Sequence, residues 1–410
     1  MMAGVAVVFA LGGFLLLRQG SAATSVIVRE AEAGMLAGNA ATAGSQSGAS
    51  GGSAVRFAPV LTGTPTFQAS ELASGLWHPW DLAFLSATDF VFTQRDGTFS
   101  LYRNGAISKI NGMNDVTADG EGGLMGLAAD PQFAGNRYLY ACFFTQGSDI
   151  RVGRWKLSTD MVNLSDRRDI VTGIKAYPTG WHAGCRIAFG PDGYLWITTG
   201  DAAMAGTSQD LKGLAGKVLR VDRDGNAAPG NLGGTADARI YSYGHRNVQG
   251  IAFFPSPKNG VPGLTSEHGP TVDDEINELR KGNFGWNRTD PNNDTGNMTD
   301  TSQWPDAILP IWKSGNPTQA PSGMEIINSP LWKSWNGAAA IAMQKTKHLK
   351  ILSLDANNKV TKEEKVLDGT YGRLRTVRQG PDGSLYILTD NASNDDFNTK
   401  VDKIIKLTPN

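Results

Sequence analysis

The sequence predicts an all-β protein, a six-bladed β-propeller with four-stranded antiparallel blades, and three observations carry that expectation. Glycine supplies 50 of the 410 residues, many in turn pairs that suit short strands joined tightly. A pattern of strand, tight turn and strand recurs, most clearly over Arg186–Asp201 and Thr376–Asp390. Third strands follow several of these hairpins, as at Phe99–Arg103, Lys217–Asp222 and Leu349–Leu354. Six units of about sixty residues, each a small antiparallel sheet, describe a propeller. A pair of β-sandwiches is the rival that the same turn spacing supports.

Taken in order, the chain begins with an apolar run from Ala3 to Leu17, followed by the small residues Ser21, Ala22 and Ala23. That run has the length of a secretory signal, while the lack of Lys or Arg before it leaves an uncleaved membrane anchor open. Residues 1–23 are therefore read as a signal peptide or anchor. Residues 24–57, rich in Gly, Ala and Ser, are read as a flexible linker, and residues 58–410 as the propeller. The six units open at Trp80, Leu124, Arg186, Val248, Gly323 and Thr376. In the third and sixth, Pro191-Asp192-Gly193 and Pro381-Asp382-Gly383 mark the turn. Proline fixes φ, aspartate bonds its own backbone and glycine accepts positive φ. The longest polar insertion, 288–319, is expected on the binding face.

Composition narrows the function. Hydrophobic residues at 40% and charged residues at 19% exclude a disordered chain. Lys plus Arg (38) against Asp plus Glu (39) leaves a net charge of −1, with no reason to expect nucleic acid. The two cysteines, Cys142 and Cys185, read either as buried strand thiols or as one disulfide in an oxidising compartment.

The unusual polar residues cluster just before strands. His182 precedes one strand and Asp201 ends the next, so the carboxylate could orient the imidazole as a general base; a hydrogen-bonded loop histidine is the plainer alternative. Arg246 and Asn247 offer a planar fork and an amide to a ligand bearing carboxylates and carbonyls, or else a salt bridge between blades. Gly269-Pro270, close to Asp273, Asp274 and Glu275, could present carbonyls to calcium, although the spacing is not that of an EF-hand and a solvated acidic loop reads equally. Arg373 and Arg375 have strand spacing and should share a face, which an anionic ligand or plain solvent would explain. Lys345 and Lys347 are ambiguous in the same way.

In this order, these blocks resemble the soluble quinoprotein glucose dehydrogenase and sorbosone or aldose sugar dehydrogenase family. The most specific run is Gly244 to Gly250 together with Ser266 to Asn277. The resemblance implies pyrroloquinoline quinone and calcium as cofactors and an aldose substrate. It gives His182 the role of base for the anomeric hydroxyl, with Asp201 orienting it. Arg246, Asn247, Thr318, Lys345, Arg373 and Arg375 fall on the quinone-binding positions, Arg246 also stabilising charge during hydride transfer. Gly269 and Pro270 match the carbonyl donors to calcium, and Glu275 a further calcium. Trp181 and Glu121 stand where glucose dehydrogenases carry aspartate and glutamine on the sugar side, and Asn316 stands in place of an aromatic residue. The aldose dehydrogenase branch, exported to the periplasm or beyond and passing electrons to an external acceptor, is thus the closer resemblance. A non-catalytic carbohydrate- or protein-binding propeller of the same ancestry is the alternative; a calcium-dependent lactone hydrolase ranks lowest.

Overall fold

The structure is a computed structural model that describes residues 62–146, 149–287, 297–393 and 399–410, and the backbone of three earlier strands. Six sheets follow one another around a ring, their innermost strands packed neighbour to neighbour and the sixth returning to the first. The innermost strands are Pro79–Phe84, Leu124–Ala129, Gly184–Phe189, Val248–Lys258, Pro321–Ile326 and Leu374–Gln379. They lie at the six unit openings expected from the sequence.

The repeated turns have one geometry. Gly190 and Gly380 donate to the carbonyls of Tyr194 (2.9 Å) and Ser384 (2.8 Å), and Gly193 and Gly383 take φ of 77° and 79°. Asp192 and Asp382 accept amides two residues on, at 3.2 and 3.1 Å. A Cβ on Gly190 or Gly380 would come within 2.5 Å of Trp196 or Tyr386, so the aromatic ring three residues past the turn needs glycine beneath it.

Neighbouring blades are latched by hydroxyls. Thr93 donates to the Met125 carbonyl (2.6 Å), Thr198 to Val248 (3.0 Å), Ser266 to Ser322 (2.6 Å) and Thr376 to Trp80 (2.6 Å). Each crosses from one blade to the inner strand of the next, so a small polar residue in an apolar run satisfies a carbonyl that the sheets leave open.

The outer strands differ from expectation. The last blade is completed by Phe67–Leu76, which pairs antiparallel with Asp402–Pro409 and closes the ring with the beginning of the domain. In the fourth blade the outer strand is only Trp312–Lys313, drawn from the long insertion, while Gly282–Asn283 adds a fifth, parallel strand to the third blade. Cys142 and Cys185 form a disulfide joining the second blade to the third, with Cα atoms 6.2 Å apart.

Thr66–Asn328 and Gly337–Asn410 make up this propeller unit. The other compact unit comprises Met1–Pro65 and Ser329–Asn336. It contains Val26–Val28, Ala40–Ser45 and Ser53–Phe57 paired antiparallel, within the stretch read from sequence as a linker, and a 3-10 turn at Pro330–Trp335. The apolar run from Ala3 to Leu17 lies outside the described residues. No helix among the described residues is long and apolar enough to cross a membrane.

Candidate functional site

Three buried histidines each precede an inner strand and pair with a carboxylate at or just past the end of a second strand, that of the same blade for His182 and His245 and that of the preceding blade for His78. His182 Nδ1 meets Asp201 Oδ1 at 2.6 Å, His245 Nδ1 meets Glu267 Oε1 at 3.1 Å, and His78 Nδ1 meets Asp390 Oδ1. In two of them the other ring nitrogen is committed: His245 Nε2 to Ser242 Oγ (2.8 Å) and His78 Nε2 to the Ser393 carbonyl (3.2 Å). His182 Nε2 has no protein partner among the described residues, although the residue is only 7% exposed. Pairing with a carboxylate thus leaves two histidines with both ring nitrogens bonded and one, His182, with its second nitrogen available.

Asp201 is fully buried and firmly held. Its Oδ1 also accepts the Ala203 amide (2.7 Å), and its Oδ2 accepts Trp286 Nε1 (2.7 Å). The Asp201 amide donates to the Arg246 carbonyl at 2.7 Å, tying the histidine pair to the Arg246-Asn247 loop. Arg246 Nη1 donates to the His268 carbonyl (2.9 Å), and its guanidinium lies over Trp286 at 5.5 Å. Asn247 Nδ2 donates to Glu121 Oε2 (2.8 Å), while its Oδ1 accepts the Gly184 amide (3.1 Å) two residues past His182. Burial pushes the Glu121 carboxyl up, but the neighbouring His182 and His268, the Asn247 amide and Arg375 together hold it below its ordinary value. Burial pushes the His268 imidazole down to about 4, so it is neutral at pH 7.

Polar contacts continue around the mouth. Gln249 donates to Glu121 (3.2 Å) and accepts from Arg375 Nη1 (2.9 Å), and Arg375 Nη2 bonds Asp390. Arg373 lies 3.7 Å from the same Asp390 and donates to Gln344 Oε1 (2.6 Å), so the two arginines share a face as their spacing requires. Burial opposes the charge of Asp390, yet Arg375 and His78 hold the carboxyl well below its usual range. Lys345 Nζ donates to Thr318 Oγ1 (2.9 Å). Asp274 accepts the amides of Gly269 (2.9 Å) and Ala320 (2.8 Å), fixing the Gly269-Pro270 turn against the Thr318 loop. No backbone amide among the described residues donates to the carbonyl of Gly269 or Pro270.

Glu275 stands apart from this ring. It faces Glu267 across two strands, accepts from Thr299 (2.8 Å) and lies 3.6 Å from Lys313. Burial and the Glu267 charge push its carboxyl up to about 8, and none of these contacts reaches Gly269 or Pro270. Trp181 and Asn316 are exposed at the rim. Sequence reasoning missed Asp390, Gln249 and Gln344, and it read Asp274 only as part of an acidic loop. The signal for Asp390 was present, since it ends the same repeat that Asp201 ends.

Fold and site together define a six-bladed propeller in which a buried histidine–carboxylate pair, His182 and Asp201, lies beside a cluster of arginine, asparagine and glutamine side chains. The chain belongs to the glucose / sorbosone dehydrogenase family, which matches residues 76–397. It is 34% identical over 349 residues to the aldose sugar dehydrogenase YliI of Escherichia coli, covering 80% of this chain and 91% of that one. A 202-residue stretch is 35% identical to quinoprotein glucose dehydrogenase B of Acinetobacter calcoaceticus, covering 41% and 40% of the two chains. Among solved structures, the pyrroloquinoline quinone-bound aldose sugar dehydrogenase of Streptomyces coelicolor superposes with a TM-score of 0.70 at 30% identity, covering 84% of this chain and all of the other. The apo aldose sugar dehydrogenase of Escherichia coli gives 0.72 at 31%, with the same coverage.

Proposed function

We propose that the protein oxidises the C1 hydroxyl of an aldose to the lactone, using pyrroloquinoline quinone and calcium, with electrons leaving to an external acceptor. The observation that carries this reading is the uncommitted Nε2 of His182, the one such nitrogen among the three buried histidine–carboxylate pairs of the described residues. The cradle fits the quinone on this chain's own chemistry: the Nε atoms of Arg373 and Arg375 are buried without a hydrogen-bond partner among the described residues. Such orphaned donors are costly unless a ligand satisfies them. Arg246, Asn247, Thr318 and Lys345 complete the holding set, and the Gly269 and Pro270 carbonyls suit a hard cation. The chemistry supplied there is hydride acceptance by the quinone, with calcium polarising it.

Asp201 takes the Nδ1 proton of His182 in a hydrogen bond and fixes the tautomer, leaving Nε2 to accept the proton of the sugar hydroxyl. Arg246 would supply positive charge to a quinone held in this cluster. Glu121, which accepts from Asn247 and Gln249, would also accept from a sugar hydroxyl, and the exposed Trp181 would line the entrance. The buried disulfide supports an exported, periplasmic or secreted protein, because such bonds persist in oxidising compartments.

The test is an add-back titration of the apoprotein with quinone and calcium, following dye reduction over a panel of aldoses. Turnover that needs both additions supports the reading. A folded sample that takes up no quinone overturns the cradle, and uptake without turnover on any aldose favours the non-catalytic binding propeller.

A further inference from the structure

Trp181 is the one exposed tryptophan among the described residues, at 57%, and it stacks on Tyr177 with ring centroids 6.2 Å apart and planes 26° off parallel. This aromatic pair is open to solvent although Trp181 directly precedes the buried His182 in the chain.

The pair is rigidly mounted. A Cβ on Gly120 would come 2.9 Å from Trp181 Cδ1 and 2.1 Å from the Thr179 carbonyl, and one on Gly180 would come 2.1 Å from the Asp119 carbonyl. Both glycines have positive φ, 52° and 68°. The loop carrying Tyr177 and Trp181 is therefore locked backbone to backbone against the loop carrying Glu121. The next residue of each loop turns inward, His182 to Asp201 and Glu121 to Asn247.

This arrangement separates two positions. A ring whose C1 hydroxyl reaches His182 must lie in the buried part, among Glu121, Asn247 and Arg246. The aromatic pair sits at the rim, one residue further out. Sugar rings present an apolar C–H face that suits the face of an aromatic ring, and a stacked pair that is already ordered loses little entropy on binding. Building on the sugar-oxidising reading above, we infer that Tyr177 and Trp181 form a second sugar subsite, holding the ring linked to the one being oxidised. Reducing disaccharides and longer chains then gain affinity that a monosaccharide does not.

The experiment compares holoenzyme carrying Trp181→Ala, Trp181→Phe or Tyr177→Ala with the unaltered protein on glucose and on cellobiose. Calorimetric binding of methyl β-cellobioside, whose C1 is blocked, gives a readout independent of turnover. The ratio of kcat/KM for cellobiose to that for glucose falls about tenfold in Trp181→Ala, the size of one aromatic contact. Trp181→Phe restores most of it, and the glycoside binds more weakly to Trp181→Ala by a similar factor. An unchanged ratio, or glycoside binding indifferent to Trp181→Ala, overturns the subsite while leaving sugar oxidation standing. Failure of the unaltered holoenzyme to oxidise any sugar overturns both.

Discussion

At the scale of single residues, function turns on which hydrogen bonds a side chain does not make. His78 and His245 are buried against carboxylates as His182 is but have both nitrogens spent, so burial and a carboxylate partner alone do not make a base. Asp201 matters because it fixes the tautomer. Asp201→Asn can offer an amide N–H to Nδ1 and so turn the accepting nitrogen inward, away from the sugar. The expected result is a fall in kcat of about 10²–10⁴-fold with little change in quinone uptake. His182→Ala should abolish turnover and likewise leave uptake largely intact. Equilibrium binding of the quinone, measured beside steady-state kinetics, checks both variants. Loss of uptake in either would make the pair structural.

At the scale of elements, legibility followed burial. The six inner strands are buried, apolar and bounded by turn residues, so their positions could be read directly. Phe67–Leu76 could not, since most of its residues are exposed and nothing local says that it pairs with the far end of the chain. Trp312–Lys313 is too short to leave a pattern. The candidate site was legible where specific motifs surround it, as at Arg246 and Arg375. It was illegible where a residue acts through a distant partner, as Gln249 does in bridging Glu121 to Arg375. The disulfide was left undecided because two cysteines 43 residues apart look the same whether paired or merely buried. Closing that loop is worth about 4 kcal/mol in the chain-entropy picture. Replacing both cysteines by serine should lower the thermal midpoint by several degrees. Because Cys185 lies three residues beyond His182, kcat should fall as well, with KM for sugar nearly unchanged. Melting curves and kinetics on one preparation test this, and a lowered midpoint with unchanged kcat would restrict the bond to holding blades two and three together.

For the whole molecule, the ring is closed twice, at its edge by Phe67–Leu76 and at its axis by charge. Asp81, on the inner strand of the first blade, pairs with Arg186 of the third (2.8 Å) and Arg378 of the sixth (2.9 Å) and accepts the Leu127 amide of the second (3.2 Å). Arg186 in turn donates to the Gln249 carbonyl of the fourth blade (3.0 Å) and lies 4.0 Å over Trp80. Five blades thus share one buried ion cluster. Burial would raise the Asp81 carboxyl, but Arg186 and Arg378 outweigh it and hold it below its ordinary value. A carboxyl depressed on folding adds stability that is complete above its unfolded value, about 3.9, and is lost as pH falls through the folded one. Asp81→Asn leaves two buried guanidinium groups without their carboxylate, a loss of about 3–5 kcal/mol at pH 7. Unfolding in urea between pH 2 and 7 should therefore show a wide gap between the natural protein and Asp81→Asn at neutral pH, narrowing below about pH 4 as Asp81 takes up its proton. A gap of constant width across that range would mean that Asp81 holds the blades by shape and neutral hydrogen bonds, and that charge at the axis adds nothing to closing the ring.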